Sequence, residues 1–453
     1  MSWDELAPDG VYPIAGANAL FLEPCRMISS AYAHYFALPH RYYSRSFFLR
    51  HHDHSADNPQ TQLPQKKRKR KRKKPIHNHS NPKELLAEQR HQGIRQFILD
   101  AHQAFLAIPE VSDLLKSLED LVHKSKGSSD CEEIHDTGTD MVDFVKLSYV
   151  WQSPFYDITL FGVQGSSLRS TAPISTFPLF KSTVENNLHK ESIGICAGTT
   201  VILPEKSRFL MSDFADTWRT LASHLGNDYN FILIDPPWEN KSVHRHAPYS
   251  TLPNKYLLSL PLKDLANHQG ALIGLWVTNR EKLWTFVEKE LFPAWGVNLQ
   301  AIWYWLKVKS DGQMITELDI SHHKPYECLL LGYMLPHHKK DSSQVPPPKV
   351  PPDKQVLISI PGDHSRKPPL ACSNFFNLDN FLRNLFQHLH RLNVLSAFIA
   401  LLSAYVPGHD QMRGLELFAR DLHPGCTSWG NEPLRFQQTQ YFSKRQTEED
   451  SFP

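Results

Sequence analysis

The rhythm of apolar and polar positions changes near residue 207. Downstream of it, short apolar runs recur: FILI (231–234), ALIGLWV (271–277), LQAIWYWLKV (299–308), ECLLLGY (327–333), VLISIP (356–361) and LELFA (415–419). Runs of this length between turn residues read as buried strands. Segments of helical period lie between them. In NREKLWTFVEKELF, Leu283, Phe286, Val287 and Leu291 share one helical face, and Pro293 and Gly296 close it. Strands alternating with helices predict an α/β fold, with a mostly parallel sheet covered on both faces. In such sheets the chemistry collects at the C-terminal ends of the strands.

Upstream the pattern is helical over 83–123, where Leu85, Leu86, Ile94, Phe97, Ile98 and Phe105 keep helical spacing. HKSKGSSDCEEIHDTGT (124–140) reads as a linker, and a second apolar region follows from 141. Residues 81–205 are therefore expected to form a mainly helical accessory region. Residues 1–80 mix Tyr and His with polar turns and are expected to be disordered, and 441–453 to form a polar tail. The principal domain is placed at 206–440. Within it, 335–354 is a Pro-rich charged loop and 372–396 an apolar, helix-like insertion.

The chain of 453 residues is long enough for two or three domains. Its formal net charge is only +2, but the charge is unevenly placed: Lys66 to Lys74 are nine consecutive basic residues. Such a block repels itself and stays out of a core. It reads as a nuclear import signal or a nucleic-acid arm, the alternative being a solvated tail. Nuclear import machinery is thus an expected partner. The expected place is the nucleus, with a cytosolic or other intracellular fraction left open. The six cysteines form no CxxC pair, which predicts reduced thiols rather than disulfides or a zinc ribbon. The 25 histidines are scattered, so no metal is expected. MSWDELAPDG lacks the pattern of a secretory signal. The most apolar late run, Val394 to Tyr405, has twelve residues. A bilayer span takes about 20, so a buried helix and no membrane contact are expected.

Candidate chemistry sits where FILI runs into Asp235, Pro236, Pro237 and Trp238. Two prolines cannot continue a strand ladder, so an acid and a large aromatic are held at a stiff strand end. This pattern suits methylation of an exocyclic aromatic amine. The lone pair of such an amine is delocalised into the ring. A carboxylate that accepts one N–H and a carbonyl that accepts the other return it to nitrogen. Ionised Asp235 only accepts, and the carbonyls of Pro236 and Pro237 sit on a locked backbone. Trp238 offers a flat face, worth about 1–3 kcal/mol per stacked base. A base within a duplex must first be swung out. The following loop, ENKSVHRHAPYS, brings Lys241, His244, Arg245 and His246 as candidate phosphate contacts. A buried turn capped by Asp235 with Trp238 in the core is the structural alternative.

DPPWENKSV, WVTNREK, SHHKPYECLLLG, HSRKPPLA and LELFARDLHPGCTSWGNE, with a preceding FLMSD, span about 207–437. With these segments the sequence resembles the DPPW-type adenine N6-methyltransferase family, that of the messenger-RNA adenosine methyltransferase catalytic subunit, and within it the methyltransferase-like protein 4 branch. The resemblance implies a Rossmann-like methyltransferase fold with S-adenosylmethionine as cofactor. It also implies a permuted order, with the catalytic motif ahead of the strand that opens cofactor binding. By this match Ser212, Asp213 and Phe214 border the cofactor's adenine, and Lys367 meets its carboxylate. Phe418 lies near the sulfonium, and Arg420, Asn431 and Glu432 hold the ribose. Lys324 and Glu327 place the acceptor, and Asp235 faces both amines. The implied acceptor is adenine in RNA, including small nuclear RNA whose adenosine carries a 2′-O-methyl group, or in DNA.

Each matched residue has a structural reading too. Asp213 follows an apolar run and suits a helix N-cap. Lys367 can be a solvated lysine, and Phe418 core. Arg420 can pair with Asp421 or Glu416, and Asn431 suits a turn. No general base is evident and none is strictly required, since the methylated amine is strongly acidic and can lose its proton to water or to Asp235. Two other functions remain open: a non-catalytic nucleic-acid-binding adaptor subunit, and methylation of a protein amide. Asp rather than Asn before Pro-Pro, with the basic arm, favours nucleic acid over the amide. The insertion at 372–396 departs from the family pattern next to Lys367.

Overall fold

The computed structural model describes residues 9–48, 82–124, 141–148, 153–162, 173–239, 252–320, 323–335, 349–363, 366–370, 405–407 and 412–445. Its strands are β1 (Val11–Pro13), β2 (Ala19–Leu22), β3 (Tyr35–Ala37), β4 (Asp157–Gly162), β5 (Pro173–Pro178), β6 (Thr183–Glu185), β7 (Ser192–Cys196), β8 (Thr199–Leu203), β9 (Arg208–Met211), β10 (Phe231–Ile234), β11 (Ala271–Val277), β12 (Val297–Lys307), β13 (Tyr326–Met334), β14 (Val356–Ser359), β15 (Gly414–Leu417), β16 (Cys426–Gly430) and β17 (Phe442–Lys444). Eleven of them form one sheet in the order β1-β2-β14-β12-β13-β11-β10-β15-β16-β9-β6.

Neighbours from β11 through β10, β15 and β16 to β9 are all parallel. β13 runs antiparallel between β11 and β12. The six apolar runs of the sequence all became strands of this sheet. Their side chains alternate between two cores, as the pleat requires. Ile232 and Ile234 enter one core, Phe231 and Leu233 the other. The face Leu283, Phe286, Val287 and Leu291 is buried on a helix Glu281–Phe286 that passes through a π turn. Gly296 ends that helix in the left-handed region, at φ 74°.

Three expectations are corrected. Residues 81–205 carry long helices only in their first part, α1 (Pro82–Leu106) and α2 (Pro109–Lys124), followed by one five-residue helix at Phe144–Ser148. β4, β5, β7 and β8 make a four-stranded antiparallel sheet instead. SIGIC and TTVIL are β-branched and short, which suits strands. Residues 9–48 are ordered: β2 pairs in parallel with β14 and extends the main sheet. Phe21 of β2 stacks on Phe105 of α1, with ring centroids 5.2 Å apart. β17 lies within the expected tail and pairs with β3. The β2–β14 and β3–β17 pairings join segments more than 300 residues apart, which local pattern does not register. Lys66–Lys74, most of 335–354 and the insertion 372–396 lie outside the described residues.

Candidate active site

Parallel strands put their C-terminal ends on one edge of the sheet. Ile234 pairs with Leu417, so Asp235 and Phe418 leave the sheet side by side. Gly430 pairs with Met211, which brings Asn431 to Ser212. β13 runs the other way and begins at this edge, and Glu327 there faces Trp305 of β12. A cleft of about 1460 Å³ opens at these ends. It gathers Ser212, Asp213, Phe214, Asp235, Pro236, Pro237, Trp238, Lys324, Glu327, Lys367, Phe418, Arg420, Asn431 and Glu432. Lys241 and Arg245 lie outside the described residues. Residues from more than 200 positions of sequence thus meet in one place.

An alternating chain of charges crosses the cleft floor. Lys307 Nζ donates to Glu327 Oε1. Lys367 Nζ lies 3.3 Å from Glu327 Oε2 and donates to Asp235 Oδ2 at 3.1 Å. Trp276 and Trp305 lie beneath it, with Lys367 Nζ 5.6 and 5.8 Å from their ring centroids. Burial alone would raise the Glu327 pKa. The Lys367 and Lys307 ammoniums override it and hold that carboxyl down at about 2. Burial likewise opposes the Lys367 charge, but Asp235 and Glu327 outweigh it and raise its pKa. Both groups are ionised at neutral pH.

The Asp-Pro-Pro-Trp turn is fastened on its far side. Pro236 O accepts from Trp238 N at 2.7 Å, and Pro237 O from Leu252 N at 3.1 Å. Each carbonyl keeps one lone pair for a further donor. Trp238 Nε1 donates to Trp276 O at 2.9 Å, which fixes the plane of its half-buried ring. A third aromatic group stands across the cleft. The Phe214 and Phe418 rings are within 13° of parallel, with centroids 6.3 Å apart, and Trp429 lies 5.4 Å from Phe418. Phe418 has φ 64°, a region an aromatic residue rarely occupies. Strain of this kind persists where the surroundings enforce it, commonly at a functional site.

Several matched residues also do structural work. Asp213 caps helix Phe214–Thr217, accepting from Ala215 N at 2.8 Å. The Ser212 hydroxyl accepts from Trp429 Nε1 at 2.9 Å and pairs with Thr217 Oγ1 at 2.7 Å. It therefore steadies the cleft wall that it lines. Glu432 is held by Arg435 at 3.0 and 3.1 Å. Asp421, one of the two suggested partners of Arg420, binds Arg366 at 2.8 Å. Lys324 is nearly buried, its Nζ without a hydrogen bond and 3.9 Å from Glu88 Oε2, and burial lowers its pKa.

Sequence reasoning missed Lys307 and the wall formed by α1. A lone lysine inside the apolar run IWYWLKV was the available signal for the first. For the second there was none, since α1 meets the cleft only through tertiary contacts. His91, 1% exposed, stacks on Tyr326 and bonds its hydroxyl at 3.0 Å. Arg90 lies over the Trp284 ring, 4.3 Å from its centroid. Glu84, Leu85 and Glu88 of α1 also line the cleft. Among the described residues no group of three or more His, Cys, Asp or Glu is placed to hold a metal ion. Among them, too, no helix is long and apolar enough to cross a membrane.

The permuted sheet, the acidic turn and the aromatic cleft at the strand ends define a Rossmann-like methyltransferase. A family model described as MT-A70 matches residues 229–432. The N(6)-adenine-specific methyltransferase METTL4 of Mus musculus is 34% identical over 372 residues, covering 80% of this chain and 69% of that protein. The N6-methyladenosine RNA methyltransferase MTA1 of Pyricularia oryzae is 29% identical over 244 residues, covering 52% of this chain and 54% of that protein. The DNA N6-methyl methyltransferase of Caenorhabditis elegans is 31% identical over 253 residues, covering 54% and 57%. The chain belongs to the MT-A70 family, in the METTL4 branch. That family implies S-adenosylmethionine as methyl donor, and the cleft suits it: a buried cation at Lys367, acceptors at Asp235, and rings at Phe214 and Phe418 for a planar base.

Proposed function

We propose that this chain methylates the exocyclic N6 amine of adenine in nucleic acid. The observation that carries this reading is the pairing of Asp235 with Lys367 beside the fixed ring of Trp238. S-adenosylmethionine supplies an electrophilic methyl group on a sulfonium. In this reading Lys367 holds its carboxylate, Asp213 and Phe214 border its adenine, Phe418 lies by its sulfonium, and Arg420, Asn431 and Glu432 meet its ribose. Ser212 supports that wall through Trp429.

On the acceptor side the base stacks on Trp238. Asp235 accepts one amine hydrogen, and the free lone pair of Pro236 O or Pro237 O accepts the other. Both bonds localise the nitrogen lone pair and aim it. Glu327 and Lys324 orient the acceptor nucleotide, and Lys241 and Arg245 meet its phosphates. Pro236 and Pro237 keep the turn rigid, so little reorganisation accompanies the reaction.

The relatives' names include both RNA and DNA methyltransferases. RNA is the favoured acceptor here, including small nuclear RNA with a 2′-O-methyladenosine. The test offers the purified chain labelled S-adenosylmethionine with matched RNA and DNA oligonucleotides, with and without that modification. Products are then digested to nucleosides. Label in N6-methyladenine supports the proposal, and its loss in Asp235→Ala assigns the carboxylate. Cofactor binding without transfer to any oligonucleotide rejects the chain as a self-sufficient enzyme. Salt-sensitive RNA binding without cofactor binding favours an adaptor subunit. Lys66–Lys74 is proposed as the import signal, on its sequence alone. Unchanged nuclear localisation after its deletion refutes that.

A further inference from the structure

Behind Asp235 lies a second, small cavity of about 20 Å³, lined by Asp235 and Lys367 and by Leu233 of the second core. Three other residues of its lining each carry a buried polar atom without a hydrogen bond: Trp276 Nε1, Glu416 Oε2 and Asp421 Oδ1. Buried polar groups are nearly always paired, and three exceptions around one cavity need a common cause. The indole N–H only donates, and the carboxylate oxygens only accept. A water molecule does both, and it needs roughly 10–15 Å³ and two to four polar partners. The cavity has the volume, and its lining residues carry candidate partners. Glu416 Oε2 also lies 3.2 Å from His423 Nε2.

We propose that this cavity holds an internal water that links Asp235 to the Glu416–His423 pair and carries off the proton released by the acceptor amine. The inference rests on the methyl-transfer reading above. Once its nitrogen has gained a methyl group, the amine holds one hydrogen too many. That N–H bond breaks, its electron pair stays on nitrogen, and the proton passes to the Asp235 carboxylate. The water takes a proton from Asp235 as it gives one to Glu416. Asp235 is again an anion, the water is unchanged, and the Glu416–His423 pair has gained one proton. Three cations surround the cavity: Lys367 lies 3.1 Å from Asp235 Oδ2, Arg366 lies 2.8 Å from Asp421 Oδ2, and Arg420 completes the lining. The relay gives the proton taken up by Asp235 a route onward.

Two measurements on the full chain test the site. A high-resolution crystal structure should show an ordered water within hydrogen-bond reach of Asp235 and Glu416, and Trp276→Phe should lose it. Absence of that water from the wild-type structure overturns the site. Glu416→Gln and His423→Gln should slow single-turnover methyl transfer about tenfold or more. They should also alter its pH profile and raise the solvent deuterium isotope effect. Affinity for S-adenosylmethionine and KM for the oligonucleotide should stay near wild type, which a merely structural role does not predict. Should Glu416→Gln fail to fold, His423→Gln alone decides. An ordered water with unchanged rates and pH profile in the variants overturns the relay. If the wild-type chain methylates no adenine, the proposed function and the relay fall together, while the crystallographic water still decides whether the cavity is a water site.

Discussion

Lys367 Nζ stands 3.1 Å from Asp235 Oδ2, although 132 positions separate the two residues. The same ammonium lies 3.3 Å from Glu327 Oε2. One buried cation therefore serves two carboxylates and, in the proposed complex, the donor's carboxylate as well. Lys367→Met keeps much of the side-chain length and removes the charge. It leaves Asp235 and Glu327 close together without the cation between them, which is unfavourable in a partly desolvated site. Methyl transfer is expected to fall about 10²–10³-fold, the scale of losing one oriented charged partner. Binding of S-adenosylmethionine, followed by calorimetry, should weaken together with turnover. Wild-type cofactor affinity in Lys367→Met would remove Lys367 from the binding site.

The Glu327 carboxyl has a predictable pH signature. Its folded-state pKa of about 2 lies below the usual 4.5, because Lys367 and Lys307 outweigh burial. A depressed carboxyl pKa contributes stability above the unfolded value, and that contribution is lost as pH falls through the folded value. The stabilisation should thus be constant from neutral pH down to about 4.5 and disappear towards pH 2. Glu327→Gln removes it. Thermal unfolding of both proteins across this range should show the wild-type advantage shrinking only below pH 4.5. A gap that shrinks between pH 8 and pH 6 would assign the effect to another group.

Trp238 is held by one hydrogen bond to Trp276 O, so the ring's plane and its area can be tested separately. Trp238→Ala removes the plate. KM for the oligonucleotide is expected to rise about tenfold, since stacking on an aromatic side chain is worth about 1–3 kcal/mol. Trp238→Phe keeps a ring but frees its orientation. It should retain most of the binding and lose more in kcat than in KM. Equal KM for all three proteins would place the base elsewhere in the cleft.

The contrast between Asp235 and His91 shows what local sequence encodes. FILI, the two prolines and the tryptophan are consecutive, and a strand ended by Pro-Pro is a local rule, so the acid at the strand end was legible. So were the strands, because a buried parallel strand is a continuous apolar run. The gathering of Lys367, Phe418 and Asn431 around Asp235 came from family motifs rather than from periodicity. His91 carries no such signal. It reads as one polar residue on an amphipathic helix, yet it is buried against Tyr326, 235 positions away. The four-stranded sheet and the β1–β2 edge were missed for another reason. Their strands are three to six residues long, too short to show a clear period, although most of their partners are near in sequence.

Two glycines separate a local effect from a site effect. Gly430 ends β16 where the chain passes closest to the segment after β15. A Cβ there would lie 2.6 Å from Ala419 O and 3.0 Å from Ala419 N, both backbone atoms that cannot swing aside. Gly430→Ala must therefore spread β15 from β16 at the position of Phe418 and Asn431. The expected result is destabilisation of roughly 1–3 kcal/mol, the usual range for overpacking, with a larger loss of S-adenosylmethionine affinity than of fold. At Gly93, exposed on α1, an added Cβ would meet nothing within 4 Å. In a helix interior alanine is favoured over glycine by about 1 kcal/mol, so Gly93→Ala should raise the melting temperature and leave cofactor affinity unchanged. Paired unfolding and cofactor titrations of the two variants check both statements. If Gly430→Ala binds the cofactor as tightly as the wild type, the β15–β16 junction is not part of its site.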